Sequence, residues 1–236
     1  MRYFELTCTA YLKRDISFRE SFEKIARYIN YSMAQTKEFR GLHNKNSFKY
    51  YTFNIFTPLE RDKIYKRGKN YTFKIRSLRE DFIDNLQKTL RENINNPNLL
   101  VVIADKKSIE QFFISELYSI TPVIVTMESG RFWTFREDGD ILKLYSQLHS
   151  NLERKYFEFY NDSLWTKDNF IKLLEIKNQK PQTIQLTKNG KSFRFFGNKF
   201  KIIPREDEVS QKLAFTALAC GLGEKNSFGG GFCVAK

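Results

Sequence analysis

Apolar and polar residues alternate with period two over residues 2–12, which predicts a strand, and the period then lengthens to that of a helix. Ser17 and Glu20 stand at capping-box spacing ahead of an apolar stripe of Phe18, Phe22, Ile25, Ile29 and Met33. A polar loop over residues 36–47 separates this helix from a β-rich run at 48–56, and residues 71–76 alternate as a further strand. Ser77 and Glu80 repeat the capping-box spacing before Phe82, Ile83, Leu86, Leu90 and Ile94, and Pro97 precedes an apolar strand at 99–104. The order β-α-β-β-α-β, complete by about residue 105, is that of a ferredoxin-like unit.

The rest of the chain reads as a modified second copy. Residues 120–127 and 131–135 are expected to form a hairpin, 141–160 a helix with Ile141, Tyr145, Leu148 and Leu152 in register, and 170–176 a strand or short helix. Runs at 183–188 and 191–196 flank Asn189-Gly190, a two-residue hairpin signal, and a strand at 199–203 and a helix at 208–220 follow. The expected architecture is α+β, with two tandem ferredoxin-like domains built on antiparallel sheets, divided as 1–110 and 111–236.

Composition adds a partner class. The 236 residues carry 40 Lys+Arg against 27 Asp+Glu, a formal charge of +13, which favours a polyanion such as nucleic acid over a neutral ligand. The 23 Phe and 12 Tyr suit base stacking, although most of these rings are needed for core. Basic residues cluster in two places. One is the connection containing Arg61, Lys63, Lys66, Arg67 and Lys69, continued by Lys74 and Arg76; the other is the hairpin region of Lys188, Lys191, Arg194, Lys199 and Lys201. Each reads equally as a solvated surface or as a phosphate-binding arm.

Cys8, Cys220 and Cys233 form no CxxC pair, and only two histidines accompany them, so neither structural zinc nor another metal site is expected. No apolar run reaches membrane-spanning length and the first residues lack a signal-peptide core, so the cytoplasm is the expected location and a membrane is not an expected partner.

Five of the eleven glycines fall in one short run, at Gly221, Gly223, Gly229, Gly230 and Gly231, with Lys225 inside it. Such density implies positive φ angles or close approach of backbone to a ligand. A helix C-cap explains Gly221 alone. The Walker loop needs Gly-Lys-Ser/Thr entering a helix and the dinucleotide fingerprint needs a preceding strand, whereas this run follows a predicted helix and precedes a strand.

Written as Gly-Leu-Gly, five residues and Gly-Gly-Gly, the run resembles the C-terminal glycine-rich motif of the RAMP superfamily. Within it, the chain is most similar to the CRISPR-associated endoribonucleases that cut repeat RNA into guide units; Gly230 stands where that family usually has an apolar residue. The resemblance covers most of the chain, and it implies CRISPR repeat RNA as partner, with subunits of a CRISPR effector complex as further partners. It implies no cofactor, and monomer and homodimer stay open. It also implies RNA contacts from the loop, at Gly221, Gly223, Lys225, Gly229 and Gly231, to which the charge pattern adds Lys191 and Arg194.

The family's chemistry rests on a Tyr/His/Lys set in the first domain. The matching residues are His43 in the helix-to-strand loop, Lys49 at the start of the next strand, and either Tyr28 or Tyr31 on the first helix. Tyr28 flanks the apolar stripe while Tyr31 points nearly opposite it, so Tyr28 is preferred, with its ring on the core edge and its hydroxyl turned to a site. The implied reaction is metal-independent: attack of an RNA 2′-hydroxyl on the adjacent phosphate, giving 5′-hydroxyl and 2′,3′-cyclic phosphate ends, with His43 as base or acid and Lys49 stabilising charge. His149 reads as structural. A noncatalytic RAMP-type subunit that binds guide RNA in an effector complex is the alternative, which His43 disfavours; a generic tandem RNA-binding protein lacks convincing paired aromatic motifs in residues 2–12 and 99–104.

Overall fold

The computed structural model describes the whole chain apart from residues 43–46, 138, 165 and 189 and the side chain of Lys188. Strand β1 (Arg2–Leu12) leads through the two-residue β2 (Ile16–Ser17) into helix α1 (Phe18–Met33). The capping box forms in both directions: Ser17 Oγ accepts from Glu20 N, and the Glu20 carboxylate accepts from Ser17 N at 3.1 Å. Strands β3 (Tyr51–Phe53) and β5 (Asn70–Ser77) follow, the connection between them carrying β4 (Ile64–Tyr65), which pairs with β2. Helix α2 (Glu80–Glu92) and β6 (Leu99–Glu110) complete a four-stranded antiparallel sheet in the order β3-β5-β1-β6. That order is the ferredoxin-like one.

Two local expectations fail here. The second capping box does not form, because β5 runs on through Ser77 to pair with Tyr51. Ser77 Oγ is then used in the sheet, donating to Tyr50 O at 2.8 Å and accepting from Arg79 N, and Glu80 turns instead to Lys106. The strand expected over 48–56 shrinks to three residues, since Tyr50 sits at φ 54°, a left-handed conformation that interrupts an extended chain.

The second half repeats the topology: β7 (Leu117–Ser119), α3 (Ile141–Tyr160), β8 (Ile171–Ile176), β11 (Phe200–Pro204), α4 (Glu208–Cys220) and β12 (Cys233–Ala235) build a sheet ordered β12-β7-β11-β8. Between β8 and β11 is inserted the hairpin β9 (Gln182–Lys188) and β10 (Lys191–Gly197), whose turn Gly190 closes at φ +74°. The hairpin expected over 120–135 forms only at its tip, where Thr126 bridges Phe132, Met127 N donates to Arg131 O and Trp133 N donates to Val125 O, both at 2.8 Å. Val123 instead bridges Asn198, and Ile124 bridges Glu224.

Each sheet has its own core, and the second half also reaches across. Phe22, Ile25, Ile29, Phe53 and Phe73 centre the first core, to which Ile184 of the inserted hairpin also belongs, with Phe195 and Phe228 packed against it. Leu144, Leu148, Leu152, Phe200 and Phe215 centre the second. The hairpin is fastened to α1 by Arg27 Nη2 donating to Thr187 O at 2.7 Å and by Thr187 N donating to Glu23 at 3.2 Å. No described helix is long and apolar enough to cross a membrane.

Candidate functional site

The glycine run folds onto itself and onto both halves of the molecule. Gly229 has φ +88°, and a Cβ there would stand 2.7 Å from Phe22 and 3.0 Å from Phe53 of the first core; at Gly231, φ +65°, a Cβ would meet Leu222 O at 1.9 Å. No side chain fits at either position. Gly221, Gly223, Gly229 and Gly231, the glycines expected to touch RNA, are all buried in the protein, and Gly223 also lines a cleft. The exposed arc of the run is the short 3-10 turn Asn226–Phe228 and its preceding Lys225, held at φ 56°.

That arc forms one wall of a cleft of about 510 Å³. The facing walls are the 47–51 segment leading into β3 and the α3 residues Asn151, Arg154, Lys155 and Glu158. Lys49 and Lys225, distant in sequence and placed on separate halves, therefore line the same cleft, as does Gly223. Lys225 keeps about a third of its side chain exposed, with Glu224 at 3.8 Å and the Phe195 ring at 5.7 Å.

The cleft carries more basic than acidic side chains, with Lys49, Arg154, Lys155 and Lys225 against Glu158 and Glu224. Arg154 and Lys155 both lie over the Phe48 ring, at 5.5 and 5.7 Å, and among the described residues neither has a carboxylate at ion-pair distance. Lys155 is buried, and burial holds its ammonium below the range of a free lysine. Tyr50 adds an aromatic wall against Phe159 and donates to Glu158 Oε2 at 3.4 Å. Burial first, and then the Glu158 carboxylate, push its phenol well above the ordinary tyrosine range.

The other expected residues fall as follows. His43 lies outside the described residues, four positions before Ser47, which lines the cleft. Tyr28 is fully buried: its hydroxyl donates to Leu90 O at 2.7 Å and accepts from Val101 N at 3.1 Å, so it is turned to the junction of α2 and β6 rather than to a site. Tyr31 is exposed on the opposite flank of α1. Lys191 and Arg194 are exposed on the inserted hairpin.

Several basic residues are committed elsewhere. Arg76 is buried against Glu5 at 2.7 Å, Lys74 pairs with the same carboxylate, Lys66 with Asp62, Lys69 with Glu60 and Lys201 with Glu116. Four of the seven basic residues of the first segment are thus paired, Arg76 and Lys74 sharing one carboxylate, while Arg61, Lys63 and Arg67 have no ion pair among the described residues. His149 accepts from Phe170 N at 3.1 Å and stacks on the Phe170 ring, tying α3 to β8. The three cysteines are free and buried, and no group of three or more His, Cys, Asp or Glu side chains is gathered as metal ligands among the described residues.

Sequence reasoning missed Lys155, Arg154 and Tyr50. A signal for Lys155 existed, because the stripe Leu148, Leu152 continues at helical spacing to residues 155 and 156, placing a lysine on the buried face.

Residues 103–234 match the model of a family described as CRISPR associated protein Cas6, C-terminal. Two relatives from Methanocaldococcus jannaschii are similar over most of their length. CRISPR-associated endoribonuclease Cas6 2 is 26% identical, the match spanning 93% of this chain and 94% of that one. CRISPR-associated endoribonuclease Cas6 1 is 30% identical, spanning 83% and 77%. A solved structure described as an RAMP protein binding different RNA substrates superposes with a TM-score of 0.70 at 18% identity, covering 99% of each chain.

Proposed function

The chain belongs to the Cas6 family of CRISPR-associated proteins, and from that premise we propose that it is a metal-independent endoribonuclease that cuts CRISPR repeat RNA in precursor transcripts. The observation that carries the reading is the shared cleft: the segment entering β3, with Lys49, faces the exposed arc of the glycine run, with Lys225, across about 510 Å³. Residues 1–110 supply the reacting groups, and residues 111–236 supply the loop and hairpin that hold the strand.

The 2′-oxygen bonds to phosphorus as the bond from phosphorus to the 5′-oxygen breaks. One proton must leave the 2′-hydroxyl, another must reach the departing oxygen, and negative charge builds on the non-bridging oxygens. His43 serves as general base or acid, imidazole being the side chain type suited to proton transfer near neutral pH. Lys49 stabilises the developing charge as a fixed cation, a role that works best where water is scarce. Lys225, Lys191 and Arg194 hold phosphates, which orients the strand without reading its sequence. Tyr28 contributes through the packing of α1 and not through its hydroxyl, which the backbone already occupies.

The test is incubation of the purified protein with its cognate repeat RNA in excess chelator. Cleavage at one phosphodiester, leaving a 5′-hydroxyl and a 2′,3′-cyclic phosphate, is expected. His43→Ala lowers the rate by about 100-fold or more, the usual contribution of a general acid or base. Tight binding without cleavage would mark a noncatalytic RNA-binding subunit instead.

A further inference from the structure

Lys155 stands out among the buried groups that the proposed reaction leaves unused. It projects from α3 with 2% of its surface exposed, and its ammonium donates to Gly221 O at 2.8 Å, Gly223 O at 2.7 Å and Asn226 Oδ1 at 2.8 Å. All three N–H donors of a lysine are thereby used, and every acceptor is a neutral oxygen of the glycine run. The contact continues through Asn226, whose Nδ2 donates to Gly230 O at 2.9 Å and to Leu222 O at 3.3 Å, so the two glycine clusters are joined across the turn. Gly230 O in turn accepts from Thr52 Oγ1 at 3.4 Å, on the strand that begins two residues after Lys49.

One hydrogen-bonded chain therefore runs from α3 through the loop to β3, and it passes behind both lysine-bearing walls of the cleft. Desolvating an ammonium is costly, and a position needed only to fill space is served as well by an apolar side chain of similar volume. The acceptors carry no formal charge, and the carboxylate whose field reaches the ammonium, Glu224, lines the same cleft.

We propose that Lys155 is a positioning residue of the RNA site: its buried ammonium gathers the loop carbonyls inward and sets Lys225 opposite Lys49. The proposal rests on the RNA-cleaving reading for its ligand, while the holding of the loop stands on geometry alone. Lys155 acts through the loop and touches neither the phosphate nor the reacting oxygens.

The experiment compares the full-length protein with Lys155→Met, and with Lys155→Gln should the methionine variant fail to fold. Leu148→Ala, about two helical turns earlier on the same buried face of α3, is the control for lost stability. Two quantities are read at a temperature where all are folded: amide exchange of peptides covering residues 221–232, and affinity for repeat RNA carrying a 2′-deoxy nucleotide at the scissile position. Exchange in the loop is expected to rise about 10-fold or more in the Lys155 variant while peptides of β11 stay protected. RNA affinity is expected to fall about 10-fold in that variant and to hold in Leu148→Ala.

Unchanged loop exchange in a folded Lys155→Met protein overturns the proposal. So does a loosened loop with unchanged affinity, or an equal loss of affinity in Leu148→Ala, because either makes Lys155 an ordinary core contact. A wild-type protein with no affinity for repeat RNA overturns the functional reading itself, a result distinct from equal affinities in wild type and variant.

Discussion

Tyr28 shows how one side chain is decided by packing that no local pattern carries. On a helical wheel it flanks the apolar stripe of α1, which leaves its hydroxyl free to turn either way. The structure covers that flank with α2 and β6, and the hydroxyl is satisfied by Leu90 O and Val101 N, 62 and 73 residues further along. The buried face of α1 is accordingly wider than its stripe, taking in Ser21, Ala26 and Ser32 as well. Tyr28→Phe is expected to lower stability by about 1–3 kcal/mol, since a buried backbone N–H loses its acceptor, measurable by urea denaturation. Its cleavage rate should match wild type where both are folded; a large rate defect there would return the hydroxyl to the chemistry. The fate of Arg76 follows the same logic: it was legible as a basic residue, and only tertiary contacts disclose that it faces inward.

At the scale of elements, period and punctuation were reliable guides. The α1 capping box, the pairing of β9 with β10 on either side of Gly190 and the final helix each formed where the pattern placed them, because these signals depend on neighbours within a few residues. The failures share a cause. Ser77 belongs to a strand extended by pairing with β3, and the 120–135 hairpin keeps only its tip, 125–133, paired with itself while Val123 and Ile124 turn to Asn198 and Glu224. Nor could the sequence reveal that the inserted hairpin leaves its own sheet to pack on α1. That docking buries Phe195 beside Phe228 of the loop while Lys191 and Arg194 remain exposed. Replacing Lys191 and Arg194 together with Glu is expected to weaken repeat-RNA binding across RNA sequences alike. Each lost phosphate contact should lower the slope of log affinity against log salt by about 1; an unaltered slope would exclude the hairpin from the RNA path.

For the whole molecule, the decisive feature is how the two halves are fixed to one another. Arg76 of β5 donates to Glu5 at 2.7 Å and to Cys233 O at 2.6 Å, and its guanidinium lies 4.4 Å from the Phe232 ring centre, so a charge pair from the first sheet grips the end of the glycine run. Burial pushes the Glu5 carboxyl up, but Arg76 and Lys74 together bring it below the usual range. A carboxylate so depressed adds stability above the unfolded value of about 4.3 and loses it as pH falls through the lower folded value. Thermal melts should therefore fall as the medium is acidified below about pH 4, and Glu5→Gln should flatten that fall. Equal acid sensitivity in both proteins would assign it to other carboxylates. Cleft and strut alike depend on contacts between halves, which is why the two folds could be read from the sequence while the site they form together could not.

The account stands or falls on whether bond breaking happens at the 47–51 wall of this cleft. Single-turnover cleavage of repeat RNA at saturating protein, with Lys49→Ala against wild type, measures that directly. The account predicts a rate lowered by about 100-fold or more with affinity kept within a few-fold, as for loss of a group acting on the transition state. A Lys49→Ala protein that cuts at the wild-type rate would contradict it.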